Sequence, residues 1–140
     1  MSGKNLLNQV ILKLNTPKYF ALVRKNTEEI AAHMGFDEEA IFDLALVVDE
    51  AYVNAIEHGA EGKTEAKVDI IFSIYENKLE ISIKDGGCGF DMTAVKVPEN
   101  LESLCSTRGR GLGLMKLLTD EFSYESHPGE GTSVTFAKYL

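Results

Sequence analysis

Hydrophobic and polar positions change period several times along this 140-residue chain, and each change marks an element. Residues 10–14 (Val-Ile-Leu-Lys-Leu) read as a short strand. Thr16-Pro17 then predicts a helix start, with Thr16 as cap and Pro17 at the first helical position. That helix runs to about Met34 and stops at Gly35. Asp37 is the next cap, and Phe36 and Ile41 hold the staple positions on either side of it. The helix from 38 to about 58 is apolar over most of its circumference. On a helical wheel, Asp43, Glu50, Asn54, Glu57 and His58 collect in one polar stripe roughly 100° wide.

Residues 66–74 and 78–84 read as strands joined by a turn at Tyr75-Glu76-Asn77. In the second, Leu79, Ile81 and Ile83 alternate with Glu80, Ser82 and Lys84, so one face is wet. Residues 92–108 are irregular, polar and broken by Pro98, the character of a functional lid. A helix is predicted over 110–121, and a closing hairpin over 122–126 and 132–138. The order strand, two helices, two strands, loop, helix, two strands predicts an α+β two-layer sandwich: a mainly antiparallel mixed sheet with helices on one face.

The length suits one domain spanning residues 1–140. A net charge of −8 argues against direct nucleic-acid binding, which needs a basic surface, but leaves room for a locally cationic nucleotide pocket. No apolar run is long enough to cross a membrane, and the start leads into no signal-peptide pattern. Cys88 and Cys105 make neither a disulfide framework nor a metal-binding set, so a reducing cytoplasm is the expected compartment.

Three segments can carry chemistry. Glu50 and Asn54, spaced i, i+4, share one helix face. The carboxylate can take a proton and the amide oxygen can ligate a hard cation, although a polar stripe is more often a solvated edge. Asp85-Gly86-Gly87-Cys88-Gly89-Phe90-Asp91 follows a strand, where glycines let a flat ring or a phosphate approach the backbone and Asp85 can accept a hydrogen bond from an exocyclic amine. An ordinary turn has the same composition. Thr107-Arg108-Gly109-Arg110-Gly111-Leu112-Gly113-Leu114 leads into an apolar helix, whose N-terminus offers unpaired N–H donors to phosphate oxygens. A flexible loop before a helix would look similar. Neither the P-loop nor the Rossmann spacing is present. His58 has no second His or Cys at ligand spacing and reads as a helix-end or packing residue; His33 and His127 read as surface residues.

Taken in order, Glu50-x-x-x-Asn54-Ala-x-x-His58-Gly59, Asp85-x-Gly87-x-Gly89-Phe90-Asp91, Gly109-x-Gly111-Leu112-Gly113-Leu114 and Gly131-Thr132-Ser133-Val134 resemble the four boxes of the GHKL (histidine-kinase-like) ATPase superfamily. Small size and the ending Gly-Thr-Ser-Val-Thr-Phe most resemble the anti-sigma-factor serine/threonine kinases. The resemblance covers roughly residues 10–138 and implies the Bergerat ATP-binding fold, with an ATP lid over about 92–109. It implies ATP and Mg²⁺, with Glu50 as general base, Asn54 as Mg²⁺ ligand, Asp85 as the adenine carboxylate and Gly87 and Gly89 shaping its pocket. Gly109, Arg110, Gly111, Leu112 and Gly113, with Arg108, would form the lid end and phosphate-binding helix start, and Thr132 would lie near the adenine. Implied partners are a sigma factor and a STAS-domain antagonist phosphorylated on Ser or Thr, in a homodimer whose contact region could be the edge at 10–14. Two other functions fit the same boxes: an ATP-gated protein-binding module without kinase activity, and a stand-alone histidine-kinase catalytic domain.

Overall fold

The computed structural model describes residues 5–14, 17–59, 67–85, 109–127 and 131–140. Strand β1 is Leu6–Leu14, helix α1 Phe20–Met34, helix α2 Glu38–Gly59, and strands β2 and β3 are Val68–Tyr75 and Lys78–Asp85. Helix α3 is Gly109–Leu118, followed by β4 (Glu121–His127) and β5 (Gly131–Tyr139). The five strands form one sheet in the order β1-β2-β3-β5-β4. All four pairings among these described strands are antiparallel, within the mainly antiparallel α+β architecture expected.

Alternation along each strand sorts the sheet into two faces. Ile70 and Phe72 of β2, Leu79, Ile81 and Ile83 of β3, and Val134 and Phe136 of β5 are buried on the side covered by helix. Leu44, Val47, Val48 and Ala51 of α2 close over them in the same cluster. Each large side chain so buried stabilises the fold by about 1.5–3 kcal/mol relative to exposure. The opposite face is mainly polar, with Gln9 Nε2 donating to Ser73 Oγ at 3.1 Å and the Ser82 and Thr135 hydroxyls 2.9 Å apart, although Ile11 pairs with Ile71 there.

The local signals between the first two helices act as the sequence implied. Gly35, at φ +99°, ends α1, and the N–H groups of Gly35 and Phe36 donate to the Ala32 and Ala31 carbonyls, each at 3.1 Å. Asp37 Oδ1 accepts the Ala40 N–H at 2.8 Å, a side-chain cap for α2. Buried Phe36 and partly buried Ile41 pack on the core from either side of that cap.

Several boundaries differ from expectation. Pro17–Tyr19 is a 3-10 turn, so the α-helix starts at Phe20 with Tyr19 as a cap making no side-chain bond; Thr16 lies outside the described residues. The helix expected over 110–121 ends at Leu118. There the Thr119 hydroxyl donates to the Met115 carbonyl at 2.6 Å, and Asp120 hooks onto β5 instead of continuing the helix. Its N–H donates to the Ala137 carbonyl at 2.9 Å, and its Oδ2 accepts the Tyr139 N–H at 2.8 Å. β1 is also longer than the 10–14 expected, beginning at Leu6.

Candidate functional site

Antiparallel pairing of β3 with β5 sets Asp85 directly opposite Thr132. Both are buried, at 6% and 7% exposure, among otherwise apolar core residues. The Thr132 backbone N–H donates to Asp85 Oδ1 at 3.2 Å. Gly131 makes this approach possible: its φ is +100°, and a Cβ there would strike the Asp85 carbonyl oxygen. A carboxylate withdrawn from water needs hydrogen-bond donors, and a backbone donor fixes its orientation.

Tyr124 of β4 approaches the same end of the sheet. It is partly buried against the core, and burial first, then the nearby Asp85 charge, raise its pKa above the usual phenol value. The sequence held no signal for this placement, which depends on strand register.

Glu50 and Asn54 share a face of α2, which packs over β3 and β5, the strands carrying Asp85 and Thr132. Asp43, Glu50 and Asn54 are each only half-buried, while the apolar Phe42 and Val53 on the same helix are exposed at 59% and 40%. A purely solvated edge would place the polar groups outermost. The remaining stripe side chains, Glu57 and His58, lie outside the described ones.

An ion pair missed by periodicity ties α1 to α2 beside Glu50. Arg24 Nη1 lies 3.1 Å from Asp49 Oδ2, and Arg24 Nε lies 3.8 Å from Glu28 Oε2. Desolvation raises the Asp49 pKa; Arg24 opposes this, whereas the charges of Glu28 and Glu50 reinforce it. Arg24 is thus the counter-charge to an acidic group on α1 and α2.

Helix α3 opens at Gly109, and Gly113 and Met115 are buried one turn in, where α3 packs on α2. Its first turn contains Gly109, Arg110, Gly111 and Leu112, whose backbone is helical and whose side chains lie outside the described ones. Gly87, Gly89 and Arg108 also lie outside the described residues, as does the lid expected over 92–108. Asp85 and Thr132 are therefore brought together, and Glu50 and Asn54 are brought to one helix face.

Among the described residues no group of three or more His, Cys, Asp or Glu could hold a metal alone. An amide oxygen from Asn54 beside a carboxylate fits Mg²⁺, which takes one or two protein oxygens and otherwise keeps water and substrate phosphates. Also among the described residues, no helix is long and apolar enough to cross a membrane.

A family model for the histidine kinase-like ATPase domain matches residues 14–138. The serine-protein kinase RsbW of Listeria innocua serovar 6a is 34% identical over 131 residues, covering 89% of this chain and 82% of that protein. The serine-protein kinase RsbW of Bacillus subtilis strain 168 is 31% identical over 144 aligned positions, covering 98% and 89%. The catalytic domain of histidine kinase ThkA superimposes with a TM-score of 0.56 at 16% identity, covering 93% of this chain and 97% of that one. The histidine kinase domain of a blue-light activated kinase from Erythrobacter litoralis gives 0.57 at 18% identity, covering 86% and 60%. At those identities the two solved structures share the fold with this chain.

Proposed function

Since this chain belongs to the histidine kinase-like ATPase domain family, with RsbW-type serine-protein kinases among its relatives, we propose that it is an ATP-dependent serine/threonine protein kinase and anti-sigma factor that phosphorylates a STAS-domain antagonist. The observation that carries this reading is the buried Asp85, held by the Thr132 amide at the end of the two strands that α2 crosses with Glu50 and Asn54.

In this reading Asp85 accepts the exocyclic amine of adenine, and Thr132 lies beside the base. The N-terminus of α3, with Gly109, Gly111 and Gly113, offers backbone donors to the phosphates. Gly87, Gly89, Arg108, Arg110 and Leu112 line the same nucleotide under a lid over about 92–109. The Asn54 amide oxygen would hold Mg²⁺, whose positive charge, when bound, offsets that of the phosphates. Glu50 takes the proton from the attacking serine hydroxyl of the substrate as its oxygen bonds to the γ-phosphorus and ADP leaves. Phosphoryl transfer of this kind depends on alignment and charge neutralisation more than on covalent help from the protein.

The sigma factor and the STAS-domain antagonist enter as partners through the family resemblance. A second copy of this chain is proposed to pair along β1, an edge strand with Leu6, Leu7 and Ile11 exposed. The proposed compartment is the cytoplasm. Incubation with γ-labelled ATP and STAS-domain proteins tests the kinase reading: label is expected on a serine or threonine of one of them. Nucleotide-dependent binding without label transfer would replace the kinase by an ATP-gated binding module, and label on histidine by a histidine-kinase catalytic domain.

A further inference from the structure

Strand register carries Tyr124, which belongs to none of the sequence motifs, to the base end of the site. β4 pairs with β5 so that Tyr124 lies opposite Val134 and Ser126 opposite Thr132. β5 pairs with β3 so that Val134 lies opposite Ile83 and Thr132 opposite Asp85. Directly opposed residues of antiparallel strands share a face. Tyr124, Thr132 and Asp85 therefore project to the helix-covered side, where Tyr124 packs on the core. β3 and β4 are separated by two strand spacings, about 10 Å, a gap that a tyrosine side chain partly closes. A phenol is neutral at neutral pH, and burial first, then the nearby Asp85 charge, push the Tyr124 pKa further up. A neutral phenol can donate, whereas an ionised carboxylate can only accept.

We propose that Tyr124 is a specificity-determining residue of the nucleotide pocket, supplying the donor of an acceptor–donor pair with Asp85 that matches a 6-aminopurine and mismatches a 6-oxopurine. The proposal rests on the reading of Asp85 as the base carboxylate. Adenine presents an amine donor at C6 beside a ring-nitrogen acceptor, so a carboxylate and a neighbouring hydroxyl satisfy both. Guanine presents an oxygen acceptor at C6, which sets acceptor against acceptor at Asp85. The buried Thr132 hydroxyl lies between the two strands that carry the pair, so the whole base end can be built from three strands.

Calorimetry with Mg·ADP, and competition by millimolar Mg·GDP, test this on the full chain without turnover. Tyr124→Phe keeps the ring and removes only the hydroxyl. ADP affinity is expected to fall about threefold to tenfold, the loss of one neutral hydrogen bond, while GDP affinity holds within about twofold. The preference for adenine then narrows, which a loss of packing alone would not produce. Parallel changes for both nucleotides, or no change in either, would overturn the proposal. Asp85→Asn, measured alongside, separates the two layers. If it weakens ADP binding and Tyr124→Phe does not, the Tyr124 assignment alone falls. If it leaves ADP affinity unaltered, Asp85 is not the base carboxylate and both fall.

Discussion

The Thr132 backbone N–H anchors the Asp85 carboxylate, at 3.2 Å across the β3–β5 pair. Substitution of the threonine side chain therefore leaves that anchor in place. Thr132→Val is expected to keep Asp85 oriented and to lower adenine-nucleotide affinity about threefold to tenfold through loss of the hydroxyl alone. Calorimetry of ADP binding checks this; a collapse as large as that of Asp85→Asn would mean that the side chain, not the amide, holds the carboxylate.

Gly131 stands in the left-handed region at φ +100°, against the Asp85 carbonyl. Gly131→Ala adds both backbone strain, about 1–2 kcal/mol, and a clash that must push β5 from β3 at the site. Lower stability in urea unfolding and weaker nucleotide binding are expected together. Unchanged values for both would mean that the strand ends are free to shift without consequence.

Glu50 separates chemistry from binding. Glu50→Ala is expected to lower the rate of phosphoryl transfer about 10²- to 10⁴-fold, the usual contribution of a positioned base, while Mg·ATP still binds. Single-turnover transfer to the STAS-domain substrate measures this directly. Transfer at the wild-type rate would remove Glu50 from the mechanism.

The Arg24–Asp49 pair sets a pH dependence of stability. Burial raises the Asp49 pKa above its ordinary 3.8, so the folded state holds that proton more tightly than the unfolded chain. The stability from this difference is fully present below the ordinary value and is lost as pH rises through the raised one. Arg24, 3.1 Å away, limits the loss. Urea titrations at stepped pH above 4 are expected to show a steeper decline for Arg24→Met and a flatter one for Asp49→Asn than for the wild type. Three parallel curves would show that Asp49 is indifferent to its surroundings.

Legibility in the sequence followed the range of each interaction. Gly35 and Asp37 could be read because a left-handed helix end and a side-chain cap are decided within four residues. Alternation in β3 gave its buried face, but the strand was expected to end at residue 84 with Asp85 after it, whereas Asp85 is the last residue of β3 and lies on that buried face. Tyr124 was not legible, because its nearness to Asp85 depends on two pairing registers and on the length of the turn between β4 and β5. The Arg24–Asp49 pair joins two helices through residues 25 apart in sequence and leaves no trace in the hydrophobic period. The start of α1 was misjudged because Thr-Pro spacing suits a 3-10 turn as well as an α-helical one.

Titration of Mg·ATP into the wild type and Asp85→Asn, followed by heat, tests the central claim most directly. The wild type is expected to bind, and the variant to bind roughly 10- to 100-fold more weakly, from loss of a charge-assisted hydrogen bond to the base. Equal affinities, or no adenine nucleotide bound by the wild type at millimolar magnesium, would contradict a nucleotide site built on Asp85.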